Sequence, residues 1–195
     1  MFSSLHYLSG PPDEAALEAL VTLDDLKLHL RIDHASEHAE IRALRAAAVA
    51  KISGPTGIGV ALTPENWRLV LRGFEREIAL PVVPATAVTA IGYIDTDYEA
   101  KTLDPSQYRP ALDGETASVM SFHGWPATAD VSDAVWIVFT AGYAAGAAPA
   151  DLVQAIRLLV AHWYRHREAV APLSMKALPL SVTSLIGPHR RSVVA

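Results

Sequence analysis

One segment constrains this chain more than any other. It runs Trp136-Ile-Val-Phe-Thr-Ala-Gly-Tyr143, then a small-residue linker, then Pro149-Ala-Asp-Leu-Val-Gln-Ala-Ile-Arg-Leu-Leu-Val-Ala-His-Trp-Tyr-Arg-His-Arg-Glu168. The order is a strand, a glycine turn and one long helix. Pro149 stands at the first turn, where a helix tolerates proline because that N–H would be unpaired anyway. Asp151 puts a carboxylate at the positive end of the helix dipole. Leu152, Ile156, Leu159 and Trp163 follow at helical spacing and form one face. Val153, Leu158 and Val160 widen that face beyond a stripe. A helix apolar on most sides is covered on most sides. Either the chain's own core covers it, or the core shares the task with a neighbouring subunit.

The N-terminal part reads as helical. Pro11 and Pro12 end a start without pattern. Asp13 to Leu20 fits a short helix with Asp13 as cap and Glu14 in the first turn. Thr22 caps a second short helix, with Asp25 at its capping-box position and Leu23, Leu26 and Leu30 on its buried face. Asp33-His34-Ala35 is the break. Ser36 is read as the cap of a longer helix, with Ile41, Leu44, Ala48 and Ile52 in one stripe. Ala43, Ala46, Ala47 and Ala50 keep it slim, so that a partner helix can approach closely. Gly54-Pro55 stops it.

From about residue 60 the pattern changes to period two. Trp67, Leu69 and Leu71 alternate with Arg68, Val70 and Arg72, a half-buried strand. Glu77 to Leu80 runs into Pro81 and Pro84. Ala87 to Ile94 is a clear strand, Asp95-Thr-Asp-Tyr a hairpin turn, and Ala100 to Leu103 the return. Asp104-Pro105 turns again, Tyr108 lies in a short strand, and Asp113-Gly114 is a strong hairpin signal. Ala117 to Phe122 and Ala134 to Thr140 are the last strands. Trp67 and Trp125-Pro126 fit either the core of this β part or anchors at an interface, where aromatics concentrate.

Helices, then antiparallel strands, then a helix make an α+β fold: an antiparallel α-helical bundle interrupted by an antiparallel β-rich insertion. The expected division is residues 1–20 as an N-terminal extension and 21–57 as the helical first half of the bundle. Residues 58–145 form the β insertion, 146–170 the long helix that completes the bundle, and 171–195 a loop, a short helix and a tail. Ser181 to Ile186 is the short helix, ended by Gly187-Pro188, and 171–179 the loop.

The chemistry visible in the sequence is sparse. There is no cysteine among the 195 residues, so no disulfide framework and no thiolate metal site is expected. His162 and His166 stand at i and i+4, a spacing that lets two imidazoles share one metal. The other reading is a helix C-terminus where His and Arg complement the dipole. His34 and His38 share the spacing but cross a helix start. Gly54-Pro-Thr-Gly-Ile-Gly59 is glycine-rich, yet it follows a helix and lacks the Lys-Ser/Thr of a phosphate loop, so it is read as a turn. No nucleophile, base and orienting group stand out as a set. No apolar run approaches the roughly 18 residues of a membrane span, and the start lacks the basic and apolar regions of a signal peptide. A formal net charge of -5 does not suit bulk binding of nucleic acid.

Three stretches carry a resemblance. They are Val21-Thr-Leu-Asp-Asp-Leu-Lys-Leu-His-Leu-Arg-Ile-Asp33; Phe139 to Tyr143 with Ala161-His-Trp-Tyr164 and Arg167-Glu168; and Leu178-Pro-Leu-Ser-Val-Thr-Ser-Leu-Ile-Gly-Pro-His-Arg190. In that order they resemble the head–tail connector (adaptor) proteins of long-tailed bacteriophages and gene transfer agents. Two positions depart from the family pattern: His166, where Asn is common, and His189, where Tyr is common. Residues 1–20 have no counterpart in it.

The resemblance implies a structural virion protein made in the bacterial host cytoplasm and used at the head–tail interface. It implies a homo-oligomeric ring, twelvefold, under the portal protein. The ring would extend the DNA channel without sequence-specific binding and offer a surface to a stopper or tail-terminator protein. It implies no catalytic residue, no cofactor and no metal. The basic-then-apolar end, His189, Arg190, Arg191, Val193 and Val194, is then the expected partner-binding segment, by strand addition. Leu152, Ile156, Leu159, Trp163 and Tyr164 are the expected core and subunit-contact residues of the long helix. The rival readings are another ring-forming tail-completion protein, such as a terminator or stopper, and a cytoplasmic metal-dependent enzyme using His162 and His166.

Overall fold

The computed structural model describes residues 2–113, 116–166 and 178–191. The chain divides into two compact units. One gathers Pro11–Thr63 and Tyr143–Ser192 and is helical; the other gathers Met1–Gly10 and Pro64–Gly142 and is built of strands. The α+β reading holds: helices flank an antiparallel β-rich stretch in the chain.

The helical unit holds α1 (Glu14–Leu20), α2 (Leu23–Leu30), α3 (His38–Ile52), α4 (Ala150–Arg165) and α5 (Leu180–Ile186). The first two begin where their caps are read. Asp13 accepts from the Ala16 amide at 2.8 Å and Thr22 from the Asp25 amide at 3.0 Å, each satisfying an N–H that has no partner inside the helix. α3 starts differently. Ser36 is no cap: its hydroxyl pairs with His34 Nδ1 at 2.8 Å, and Glu37 takes the cap position without a side-chain bond. A competing local hydrogen bond has captured the serine. Ile41, Ala48 and Ile52 are fully buried as their stripe requires, and Leu44 is half-buried. Ala43, Ala46, Ala47 and Ala50 face outward instead of a partner helix. The reason is phase: Arg45 and Val49 join the buried face, which turns the alanines to the far side. The core is completed by Leu17, Val21 and Leu26, by Leu152, Ile156 and Leu159 of α4, and by Val182 and Ile186 of α5.

The β unit holds β1 (Phe2–Tyr7), β2 (Glu65–Leu71), β3 (Glu77–Ala79), β4 (Ala85–Ile94), β5 (Ala100–Thr102), β6 (Tyr108–Ala111), β7 (Ser118–Ser121) and β8 (Val135–Ala141). Five strands form one sheet in the order β1-β2-β8-β4-β5, and three form a second in the order β3-β7-β6. Each pair is antiparallel. β8 is central, and its alternate residues Val135, Ile137 and Phe139 are all fully buried, with Leu69 and Ile91 opposite them. On the other face the Trp136 ring covers Gly92, where an added Cβ would lie 2.1 Å from the indole. Trp67 is core, 5% exposed. Trp125 is half-buried and stacks on Phe74 with centroids 4.5 Å apart.

Two boundaries differ from the sequence reading. The start without pattern is an edge strand: Leu5, His6 and Tyr7 of β1 pair with Leu69, Arg68 and Trp67 of β2, and Tyr7 stacks on Trp67 at 4.7 Å. Residues 1–20 are therefore not one extension, because the change of unit falls between Gly10 and Pro11. The β stretch of the middle runs from Pro64 to Gly142 rather than 58 to 145.

Candidate functional site

α4 begins one residue later than its proline suggests. Pro149 is the cap (φ -54°, ψ 137°) and Ala150 the first helical residue. Proline's fixed φ suits the entry, and its missing N–H costs nothing there. One face of α4 is spent inside the helical unit: Leu152, Ile156 and Leu159 are each 0% exposed. Trp163 and Tyr164 are half-buried, and the Tyr164 hydroxyl donates to the Glu37 carboxylate ahead of α3. Arg157 reaches Asp25 of α2 at 3.4 Å. So α4 is the central post of the helical unit.

The N-terminus of α4 also holds the end of the chain. Asp151 accepts from the Leu152 amide at 2.9 Å through one oxygen and pairs with His189 Nε2 at 2.6 Å through the other. Burial by itself would raise the Asp151 carboxyl. The hydrogen bond from His189, the Leu152 amide and the imidazole's charge outweigh burial and hold it below the ordinary aspartate range. Two residues on, the Arg191 amide donates to the Ile58 carbonyl at 2.8 Å, and the Arg190 amide to Gly187 at 3.1 Å. His189 and the Arg191 backbone are thus fixed to this chain's own helical unit, while the Arg190 side chain is exposed. Val193 and Val194 lie outside the described residues, as do Arg167, Glu168 and the 171–177 part of the loop.

The anchor makes a pH-dependent prediction. A carboxyl held below its unfolded value contributes stability above that value and loses it as pH falls through the folded one. Asp151→Asn will therefore destabilise the protein by about 1 kcal/mol at neutral pH. The gap to wild type will close below about pH 4, where aspartate protonates. Urea unfolding of both proteins at pH 7 and pH 3 measures it, and an unchanged gap at pH 3 refutes the role given to the carboxylate.

Three of the four histidines have structural partners, while His38 Nε2 is buried without a hydrogen bond. The His162 and His166 rings lie 4.6 Å apart, and His166 Nδ1 bonds the His162 carbonyl at 2.8 Å, closing the last turn of α4. Among the described residues no group of three or more His, Cys, Asp or Glu side chains could hold a metal ion. His34 is taken by Ser36, and His38 is the first residue of α3. The glycine-rich run is a turn that folds back on α3. The Gly54 amide donates to Val60 at 2.8 Å, the Gly59 amide to Gly54 at 2.9 Å, and the Ile58 amide to Ile52 at 3.0 Å.

Sequence comparison matches residues 19–192 to the family model described as head completion protein. The chain belongs to the head completion protein family. Solved structures agree along nearly the whole length. A chain in the neck of an empty GTA particle, computed with C6 symmetry, is 26% identical at a TM-score of 0.75, covering 98% of this chain and 97% of that one. A chain in the virion of a native gene transfer agent (GTA) particle is 27% identical at 0.75, with the same coverage. A chain in the neck of a native GTA particle computed with C12 symmetry is 26% identical at 0.69. No curated protein matches. As a member of that family the chain is a structural virion protein. Arg45 and the Asp151–His189 pair are the anchoring residues that sequence reading passed over. Spacing hides both, because each side-chain partner lies at least 27 residues away in the chain.

Proposed function

We propose that this protein is a head–tail adaptor: a twelvefold ring seated between the portal protein and a stopper or tail-terminator protein, continuing the passage by which DNA leaves the head. One observation carries the reading. The chain matches chains of gene transfer agent necks from end to end, in particles computed with sixfold and twelvefold symmetry. The mechanism is assembly rather than catalysis. A ring closes through a heterologous interface, one patch of each subunit against a different patch of the next. Since Leu152, Ile156 and Leu159 are spent in the core, Trp163 and Tyr164 are the two of those five expected contact residues that keep exposed surface for a subunit contact. The anchor at Asp151, His189 and Ile58 holds the segment up to Arg191 on the helical unit. Arg190, Arg191, Val193 and Val194 then reach the partner, and a net charge of -5 suits a passage that does not grip DNA.

Electron microscopy of particles from a producing strain lacking the gene tests the reading. The expected result is separate heads and tails that join when purified protein is added. Intact tailed particles in the deletion strain would overturn it.

A further inference from the structure

We propose that the two lateral edges of the five-stranded sheet are complementary halves of a contact between successive copies of this chain. The tip of the β4–β5 hairpin, Asp97-Tyr98-Glu99, seats in the cleft beside β1 of the next copy, its carboxylates toward Arg68 and His6. The inference deepens the adaptor reading and rests on it for its ring.

The receiving half is a cleft of about 460 Å³. Ser4, His6 and Leu8 line one side, Arg68 and Val70 the other, and Asp133 stands in its lining too. The register sets His6 opposite Arg68 and Ser4 opposite Val70, and residues directly opposed in a sheet share a face. The Arg68 guanidinium lies over the Trp136 ring, 5.1 Å from its centroid. Its Nε is buried without a hydrogen-bond partner, and among the described residues no carboxylate pairs with it. His6 Nε2 and the Ser4 hydroxyl are joined at 2.7 Å beside it. A half-buried guanidinium on an indole, next to an imidazole and a hydroxyl, suits an anion: a carboxylate there adds charge-assisted hydrogen bonds.

The entering half is held ready. Asp95 accepts from the amides of Asp97 at 3.0 Å and Glu99 at 2.9 Å, which fixes the turn. Its carboxylate also faces Lys101 at 3.7 Å. Tyr98 is placed in the left-handed region (φ 62°) and is 70% exposed. Asp97 and Glu99 are exposed, and among the described residues neither carboxylate has an ion-pair partner. A rigidly presented tyrosine between two free carboxylates has the make-up of an interface anchor.

The placement of the halves decides the occupant. β1 is one edge of the sheet and β5 the other. A contact joining opposite edges of one rigid body is heterologous, the kind that closes a ring. Charge also favours a second copy over nucleic acid. Asp133 in the cleft disfavours a continuous run of phosphates more than the two carboxylates of the hairpin tip. Leu8 and Val70 offer the tyrosine ring an apolar wall.

The chain has no cysteine, so an engineered pair reports without background. The double variant Ser4→Cys, Tyr98→Cys will give a ladder of covalent multimers on a non-reducing gel. The ladder is read in oxidised particles and in the concentrated purified protein; each single variant will give none. Arg68→Glu will lower head–tail joining about tenfold or more. Adding Asp97→Arg and Glu99→Arg will restore most of it, with circular dichroism showing all variants folded. Absence of the ladder from both preparations overturns the contact. So does joining by Arg68→Glu at the wild-type level, and so does Arg68-dependent retention of a short DNA duplex without a ladder. A ladder from a protein that joins no heads to tails supports the contact and sinks the adaptor role instead.

Discussion

Converting Glu14 and Glu18 together to glutamine will cost the fold about 3–5 kcal/mol, and adding Arg45→Met will recover much of that loss. The Arg45 side chain is 0% exposed on α3, while the carboxylates it meets on α1 are 55% and 43% exposed. Its guanidinium donates to Glu14 at 2.6 Å, to Glu18 at 2.5 Å and to the Val21 carbonyl at 2.7 Å. The two partners are therefore unequal. Glutamine keeps the shape and the cover but removes both counter-charges, leaving a buried cation uncompensated. Methionine keeps the packing of the stem and removes the charge, and the half-exposed glutamates return to water. The remaining cost is the Val21 carbonyl, about 1–3 kcal/mol for a buried acceptor left unpaired. Acid acts in the same direction. The hydrogen bond from Arg45, ahead of the other favourable interactions, holds Glu18 below the usual glutamate range. Its contribution is complete above that range and is lost as pH falls through the folded value. Wild type will thus lose stability on acidification more steeply than Arg45→Met. Urea unfolding of the single, double and triple variants measures all of this. A triple variant weaker than the double would refute the buried-cation account.

Arg45 also shows where sequence reading stops. Periodicity gave α3 its length and its apolar stripe, because every residue of a helix reports on the same local geometry. An arginine inside that stripe reads as a surface residue, since arginine is almost never fully buried unless paired. Its partners lie 27 and 31 residues away on another helix. The same limit hid β1. Its six residues have no strong alternation, and what makes them a strand is pairing with β2 some sixty residues later. The inner strands were legible because their signals are local: a buried face every second residue in β8, and turn residues at Asp95 and Asp104. Ser36 was misread for the opposite reason. A cap preference is only local, and His34 offered that hydroxyl a nearer partner.

The candidate site divides along the same line. The helix that carries it, its proline entry and its buried face are written in residues 149 to 165. The anchor at its start is not, because His189 meets Asp151 only after α5 has brought the chain back. That return fixes where the described part of the C-terminal segment ends, with the Arg191 amide on the Ile58 carbonyl of the Gly54–Gly59 turn.

Gly57→Ala will destabilise the helical unit by about 3 kcal/mol or more, more than alanine at Gly54 or Gly59. Backbone angles alone give the reverse ranking. Gly54 and Gly59 have φ of 75° and 77°, where an L-residue is strained by roughly 1–2 kcal/mol. At Gly57 the obstacle is contact. An added Cβ would lie 2.0 Å from the Ile52 carbonyl oxygen, 2.4 Å from its carbon and 2.8 Å from the Ser53 oxygen. All three atoms are backbone at the end of α3, so no side chain can swing aside. Relief requires opening the turn, which gives up the Ile58–Ile52 and Gly59–Gly54 bonds and lifts Ile58 from the core, where it is 1% exposed. The Ile58 carbonyl would then release the Arg191 amide. Gly57→Ala will accordingly raise hydrogen exchange at Arg191 along with that of the turn, while Gly54→Ala raises the turn alone. Thermal unfolding ranks the three variants. A Gly57→Ala protein as stable as Gly54→Ala would show that the close approach at Ile52 is not what demands a glycine there.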